Sequence, residues 1–234
     1  MGRRLCAPGY LMMQMPNLIP EPGSWFDRIT TIVLANVMWF VFAVPIITLP
    51  AATAGLFAVL APLVRGRDAE IFATFFGTMR RQWLKSTVIA VADVLIGAVL
   101  VANFSILNLM DPPGVVFWMF RSIYLFLAIA ALMANLYLWP LLVLFDPELR
   151  QMVMLAIKFA FNHALWSLFV VGLMLLPLVL AAFSPALFSA VIAVSASVLI
   201  ANWGAWRIIR QYVAPEDLAT LSVLPTQACR SECD

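Results

Sequence analysis

Asp93 is the one acidic residue well inside a long apolar run of this 234-residue chain, and a carboxyl group in such a place can do chemistry. An unpaired carboxylate in hydrocarbon is expensive, so the group must be protonated, paired or turned to a wet cavity. The chemistry it offers is carrying a proton or holding a polar solute. The bland alternative is that Asp93 lies close enough to the cytoplasmic end of its span to reach headgroup water or a neighbouring cation. Asn103 and Asn135 also sit within apolar runs, with Arg121 near a boundary. With Asp93 they form a candidate polar intramembrane site. Such amides serve equally well as hydrogen-bonding contacts between helices, and the same two readings apply to Asn36, Asn108 and Asn202. His163 is the single histidine, which rules out a histidine-rich metal site, and its place beside Asn162 suits a helix-packing role. Cys6, Cys229 and Cys233 lie towards the two ends of the chain and make no disulfide framework or metal-ligand set. There is no phosphate loop, no Ser/His/Asp arrangement and no H-E-x-x-H. We therefore expect no catalytic residues, metal or cofactor, and any ATP-driven role would need a separate subunit.

The elements that position these residues follow from composition. The chain is 64% hydrophobic and 11% charged, with a mean hydropathy of +0.99. A soluble domain carries about a quarter charged residues to cover its surface, so much of this surface must face lipid. A net charge of +2, in short clusters between apolar runs, excludes nucleic acid as a partner. The fold class expected is all-α: a polytopic transmembrane helix bundle of five or six spans with two amphipathic interfacial helices.

Residues 1–26 read as an irregular cytoplasmic arm because Pro, Gly and Asn recur too often for a helix. They contain no uninterrupted apolar stretch ending in a signal-peptide cleavage site. Residues 27–210 read as the transmembrane helical domain and 211–234 as a polar cytoplasmic tail. The first span is expected from Ile29 to Leu49, followed by a tight turn over Val44 to Ala52 and a second, short or tilted span to Val64. A five-span arrangement lacks that second crossing. Ala69 to Ser86 reads as an amphipathic helix, with Phe72, Phe75, Phe76, Met79 and Trp83 at helical spacing and Arg80, Arg81 and Lys85 interleaved towards the headgroups. A span over Thr87 to Leu109 follows, then a turn at Asp111-Pro112-Pro113-Gly114. Val115 to Phe145 is too long for one untilted crossing, so Val115 to Phe120 is expected at the interface. A second amphipathic helix over Leu149 to His163 leads to spans at Ala164 to Phe183 and Ala186 to Trp206, joined at Ser184-Pro185. With six crossings every Lys and Arg except Arg121 falls on one side, which makes that side, with both termini, cytoplasmic. The stretches Phe75 to Leu95 and Lys158 to Leu178 both run from a cationic amphipathic segment through a Trp (Trp83, Trp166) into a span, a hint of internal repetition.

Three stretches resemble the YesL-like family of small bacterial polytopic membrane proteins, whose function is largely unassigned. The first is Trp39-Phe-Val-Phe-Ala-Val-Pro45-Ile-Ile-Thr48, continuing through Thr53 to Leu56, although Pro50-Ala51 stands where that family usually carries Gly-Pro. The second is Phe76 to Ser86 with Arg80, Trp83 and Lys85. The third runs from Tyr137 through Trp139 and Pro140, then from Ala156 to His163. The resemblance implies a plasma (inner) membrane location and association with a solute-transport system, one linked to carbohydrate uptake. The leading functional expectation is therefore a transport-associated component, accessory or permease-like. A non-transporting membrane scaffold or assembly factor comes second and a membrane enzyme third. The lipid bilayer and a solute-transport system are the expected partners, and a homo-oligomer is compatible with the sequence.

Overall fold

A computed structural model describes residues 25–67, 70–110, 114–146, 148–183 and 187–213. Among them run eight helices and no strand: α1 (Trp25–Ala43), α2 (Leu49–Val64), α3 (Ile71–Arg81), α4 (Trp83–Met110), α5 (Gly114–Phe145), α6 (Leu149–Asn162), α7 (Ala164–Ala182) and α8 (Leu187–Ile209). Five of these, α1, α4, α5, α7 and α8, are long and apolar enough to cross a membrane. The all-α polytopic bundle expected from the sequence is what the chain forms. The greater part of the N-terminal arm and C-terminal tail, the Asp111-Pro112-Pro113 turn and the Ser184-Pro185 turn lie outside the described residues.

The centre of the bundle is α2. Its sixteen residues reach about 24 Å, short of the roughly 30 Å hydrocarbon core, yet it is the most enclosed helix. Ala51, Ala52, Ala54, Leu56, Val59 and Leu60 are wholly buried, and α1, α3, α4, α5 and α8 all pack against it. Between apolar helices in lipid there is no hydrophobic drive to associate, so close van der Waals packing at small residues holds them together. Gly55 shows how tight it is: a Cβ there would lie 2.9 Å from the Phe75 ring of α3.

Chain breaks differ from the expected boundaries where proline or a turn intervenes. The first helix starts at Trp25 and stops at Ala43 rather than running to Leu49, because Pro45 lacks an N–H and disfavours helix in the residue before it. The expected amphipathic helix ends at Arg81; Gln82 interrupts it, and Trp83 and Lys85 belong to the first turn of α4. No break separates Val115–Phe120 from the span that follows, since α5 is continuous over 32 residues.

Some local features recur along the backbone, in a different register from the one the tryptophans suggest. Glu70 and Glu148 are the N-caps of α3 and α6, and Pro62 and Pro140 precede them at the same spacing inside α2 and α5. At the far end of α3, Gln82 N–H donates to the Thr78 carbonyl (2.8 Å) and Ser86 N–H to Gln82 (2.9 Å). At the far end of α6, His163 N–H donates to Phe159 (3.2 Å) and Ser167 N–H to His163 (2.9 Å). Gln82 thus corresponds to His163, and the wholly buried Ser86 to the wholly buried Ser167. These features recur from α2–α3–α4 to α5–α6–α7, although α3 has 11 residues and α6 has 14.

Candidate functional site

Asp93 and Asn135 come together. Both line a cavity of about 280 Å³ between α2, α4, α5, α7 and α8, and the Asn135 amide hydrogen-bonds to the Asp93 carboxylate. The carbonyl oxygen of Asn135 is buried with no partner. Phe57 and Trp139 form a stacked wall, ring centroids 5.8 Å apart. Ser197 also faces the cavity, though its hydroxyl donates to the Met174 carbonyl (2.8 Å). On its other side Asp93 is the only polar side chain lining an apolar groove of about 720 Å³ between α4, α5 and α6. One carboxyl group therefore lies between two open, mostly apolar recesses, and in the smaller of them it meets Asn135. Such a pair can hold a proton or bind a hydroxyl-bearing solute, because a protonated carboxyl would supply the donor that the Asn135 oxygen lacks.

Arg121 and Asn103 do not join it. The Arg121 guanidinium lies over the rings of Phe104, Phe117 and Trp118, 5.1 to 5.6 Å from their centroids. The Asn103 amide donates to Val99 in its own helix (2.7 Å). Neither lines the cavity.

The three interfacial cations separate. Arg80 is exposed on α3. Lys85 forms an ion pair with Asp146, in the turn between α5 and α6, and donates to its backbone carbonyl (3.3 Å). Arg81 lies 3.9 Å from the same carboxylate. Burial pushes the Asp146 carboxyl up, but the hydrogen bond from Lys85 and the charges of Lys85 and Arg81 outweigh it and hold it below the ordinary carboxylate value. This cluster ties the start of α4 to the end of α5. Asp146 itself takes a positive φ of 46°, which aspartate tolerates better than most residues.

The motif residues build the α1–α2 turn. Trp39 Nε1–H donates to the Thr53 hydroxyl (3.2 Å), and Thr53 in turn donates to the Leu49 carbonyl (2.8 Å). The Thr48 hydroxyl lies 2.6 Å from the Phe42 carbonyl and 2.8 Å from that of Pro45, so it satisfies the orphan end of α1. The Trp83 carbonyl accepts from Ser86 (3.0 Å) and Thr87 (2.7 Å). Pro140 is buried inside α5.

Several polar contacts could not be singled out from the sequence. Ser195 donates to Asn36 across α8 and α1, Tyr137 and Ser167 share a buried hydrogen bond of 2.9 Å, and Asn202 reaches the Phe57 carbonyl (3.4 Å). Serines in apolar helices are common, and only the partner helix distinguishes a cross-link from a side chain bonded to its own turn. Among the described residues no group of His, Cys, Asp and Glu could hold a metal ion.

Residues 32–104, which run from α1 into α4, match the family model described as "Protein of unknown function, DUF624". The chain is also 29% identical over 144 residues to "Uncharacterized protein YesL" of Bacillus subtilis, a match covering 60% of this chain and 65% of that relative. No solved structure matches. The chain is thus similar to the YesL-like proteins, a family of unknown function, and within the stretch matched by the family model Trp39, Pro45, Thr48 and Thr53 form the α1–α2 turn.

Proposed function

We propose that this membrane protein is a transport-associated component, an accessory or permease-like partner of a carbohydrate-uptake system, with the Asp93–Asn135 cavity as its polar intramembrane site. The observation that carries the reading is the placement of Asp93, an ionisable group within a span, at the wall of a cavity where the Asn135 amide hydrogen-bonds to it. A carboxyl group in such a span is normally retained for a polar pathway or a proton. On this reading the arginine-rich end of the bundle is cytoplasmic in the plasma (inner) membrane. A non-transporting scaffold is the second reading. It is favoured by Arg80, which stands exposed at the end of α3 while its neighbours Arg81 and Lys85 are engaged by Asp146, leaving one cation for a partner or lipid.

The two separate by mutation. Asp93→Asn is expected to impair uptake of the system's sugar while membrane level and co-purification with partner subunits stay unchanged. Growth at wild-type rates on every carbon source tested would remove Asp93 from the transport role. Loss of the partner on Arg80→Glu, with uptake by Asp93→Asn intact, would favour the scaffold.

A further inference from the structure

Three arginines converge at the end of the bundle where α2 and α8 finish. Arg65, Arg207 and Arg210 line one pocket of about 300 Å³ together with Val64, Trp203 and Trp206. The sequence brings Arg65 there by a sharp stop. Gly66 takes a φ of +73°, and the N–H groups of Gly66 and Arg67 close back on Leu63 (3.1 Å) and Pro62 (3.0 Å). These are the two bonds of a Schellman cap, with glycine in the left-handed position. Arg65 is half-buried, its guanidinium lies 5.4 Å from the Trp206 ring centroid, and its Nε–H donates to the Ala61 carbonyl (3.3 Å). Arg207 lies 4.8 Å from the centroid of Trp166. No carboxylate lines the pocket, and among the described residues both ion pairs fall on Asp146 instead. Burial, and then the charge of Arg67, lowers the pKa of Arg65 from its ordinary value.

Cations at a cytoplasmic helix end are expected in any membrane protein. A half-buried guanidinium facing two others across one pocket is a different matter, because a desolvated charge left without an anion is strongly destabilising. We infer that Arg65, Arg207 and Arg210 bind a phosphate group, supplied by the headgroup of an anionic lipid. Guanidinium forks match phosphate oxygens in bidentate geometry. Trp203 and Trp206 are the amphipathic side chains that settle at headgroup depth, and basic pockets between helices on this side of a membrane hold anionic headgroups. The site is independent of Asp93 and of the transport reading.

The test uses the full-length protein in nanodiscs of phosphatidylcholine with and without phosphatidylglycerol. Bound lipid is counted by native mass spectrometry and stability by thermal unfolding. A parallel titration of delipidated protein in detergent uses inorganic phosphate. Wild type is expected to retain phosphatidylglycerol and to be stabilised by it, while Arg207→Gln/Arg210→Gln weakens retention about tenfold or more and Arg150→Gln, exposed on α6, leaves it unchanged. Stabilisation by inorganic phosphate that is lost in the same variant would support the phosphate site and assign it to a soluble ligand. Equal retention by wild type and the double variant, with no response to phosphate, would overturn the proposal. If the double variant unfolds in neutral nanodiscs, Arg210→Gln carries the test, since that exposed side chain has no described ring or ion-pair contact to lose.

Discussion

Two carboxylates in this protein have opposite settings. Asp93 faces a cavity with one amide for company, so replacing it with the isosteric Asn keeps the shape and removes the acid. We expect Asp93→Asn to fold normally, with a thermal midpoint within a few degrees of wild type, and to lose function, read as sugar uptake in cells. Asp146 is held by Lys85 and Arg81 in a partly exposed turn. Its pKa is lower in the folded protein than the ordinary 3.8, so its contribution to stability is present above that value and lost as pH falls through the folded pKa. Because the pair is partly exposed, Asp146→Asn should cost no more than about 1 kcal/mol near neutrality. The gap between variant and wild type should close below about pH 4. Thermal unfolding from pH 7 downward measures it, and a gap that widens in acid would contradict the assignment.

At the scale of helices, α7 and α8 pack tightly at a glycine. A Cβ on Gly204 would lie 2.4 Å from Val170 Cγ1, and the Trp166 indole donates to the Gly204 carbonyl (3.2 Å). Neither helix can back away without losing that bond. Gly204→Ala should therefore destabilise by roughly 1–3 kcal/mol. Val170→Ala should restore part of the loss in the double variant, a coupling that a thermal double-mutant cycle measures directly. Additive effects would show that the contact is looser than the structure has it. The Pro-in-helix, Glu-cap and buried-serine features of α2–α3–α4 and α5–α6–α7 belong to the same scale: they place two amphipathic helices, α3 and α6, each between a helix with an internal proline and a long apolar helix.

For the molecule as a whole, the open question of topology turns on α2. Its burial inside the bundle and its packing against five helices fit a sixth, short crossing. With six crossings both termini lie on one side; with five they lie on opposite sides. The three cysteines provide the assay, because Cys6 lies near one end of the chain and Cys229 and Cys233 near the other. A membrane-impermeant maleimide should label both the Cys6→Ser and the Cys229→Ser/Cys233→Ser variants in inverted vesicles and neither in right-side-out cells. Labelling of one variant in each preparation would establish five crossings.

Composition alone determined that this chain is a helical membrane bundle, because 64% hydrophobic residues in runs of span length leave no soluble alternative. The two amphipathic helices were legible too, since cations spaced through an aromatic stripe signal a helix with two faces. Asp93 and Asn135 were legible as polar residues in apolar runs, but not as a pair. The tertiary structure alone brought them to one cavity and sent Arg121 to an aromatic cluster and Asn103 to its own helix. It also gathered Arg65 and Arg207 from distant parts of the sequence and made α2, the least convincing span by length, the centre of the core. The reason is common to these cases. Hydropathy and periodicity report how a segment meets its solvent, and in a membrane nearly every helix face is apolar. Which faces meet is left to small residues, single hydrogen bonds and ring contacts between distant segments, and these act only once the helices are side by side.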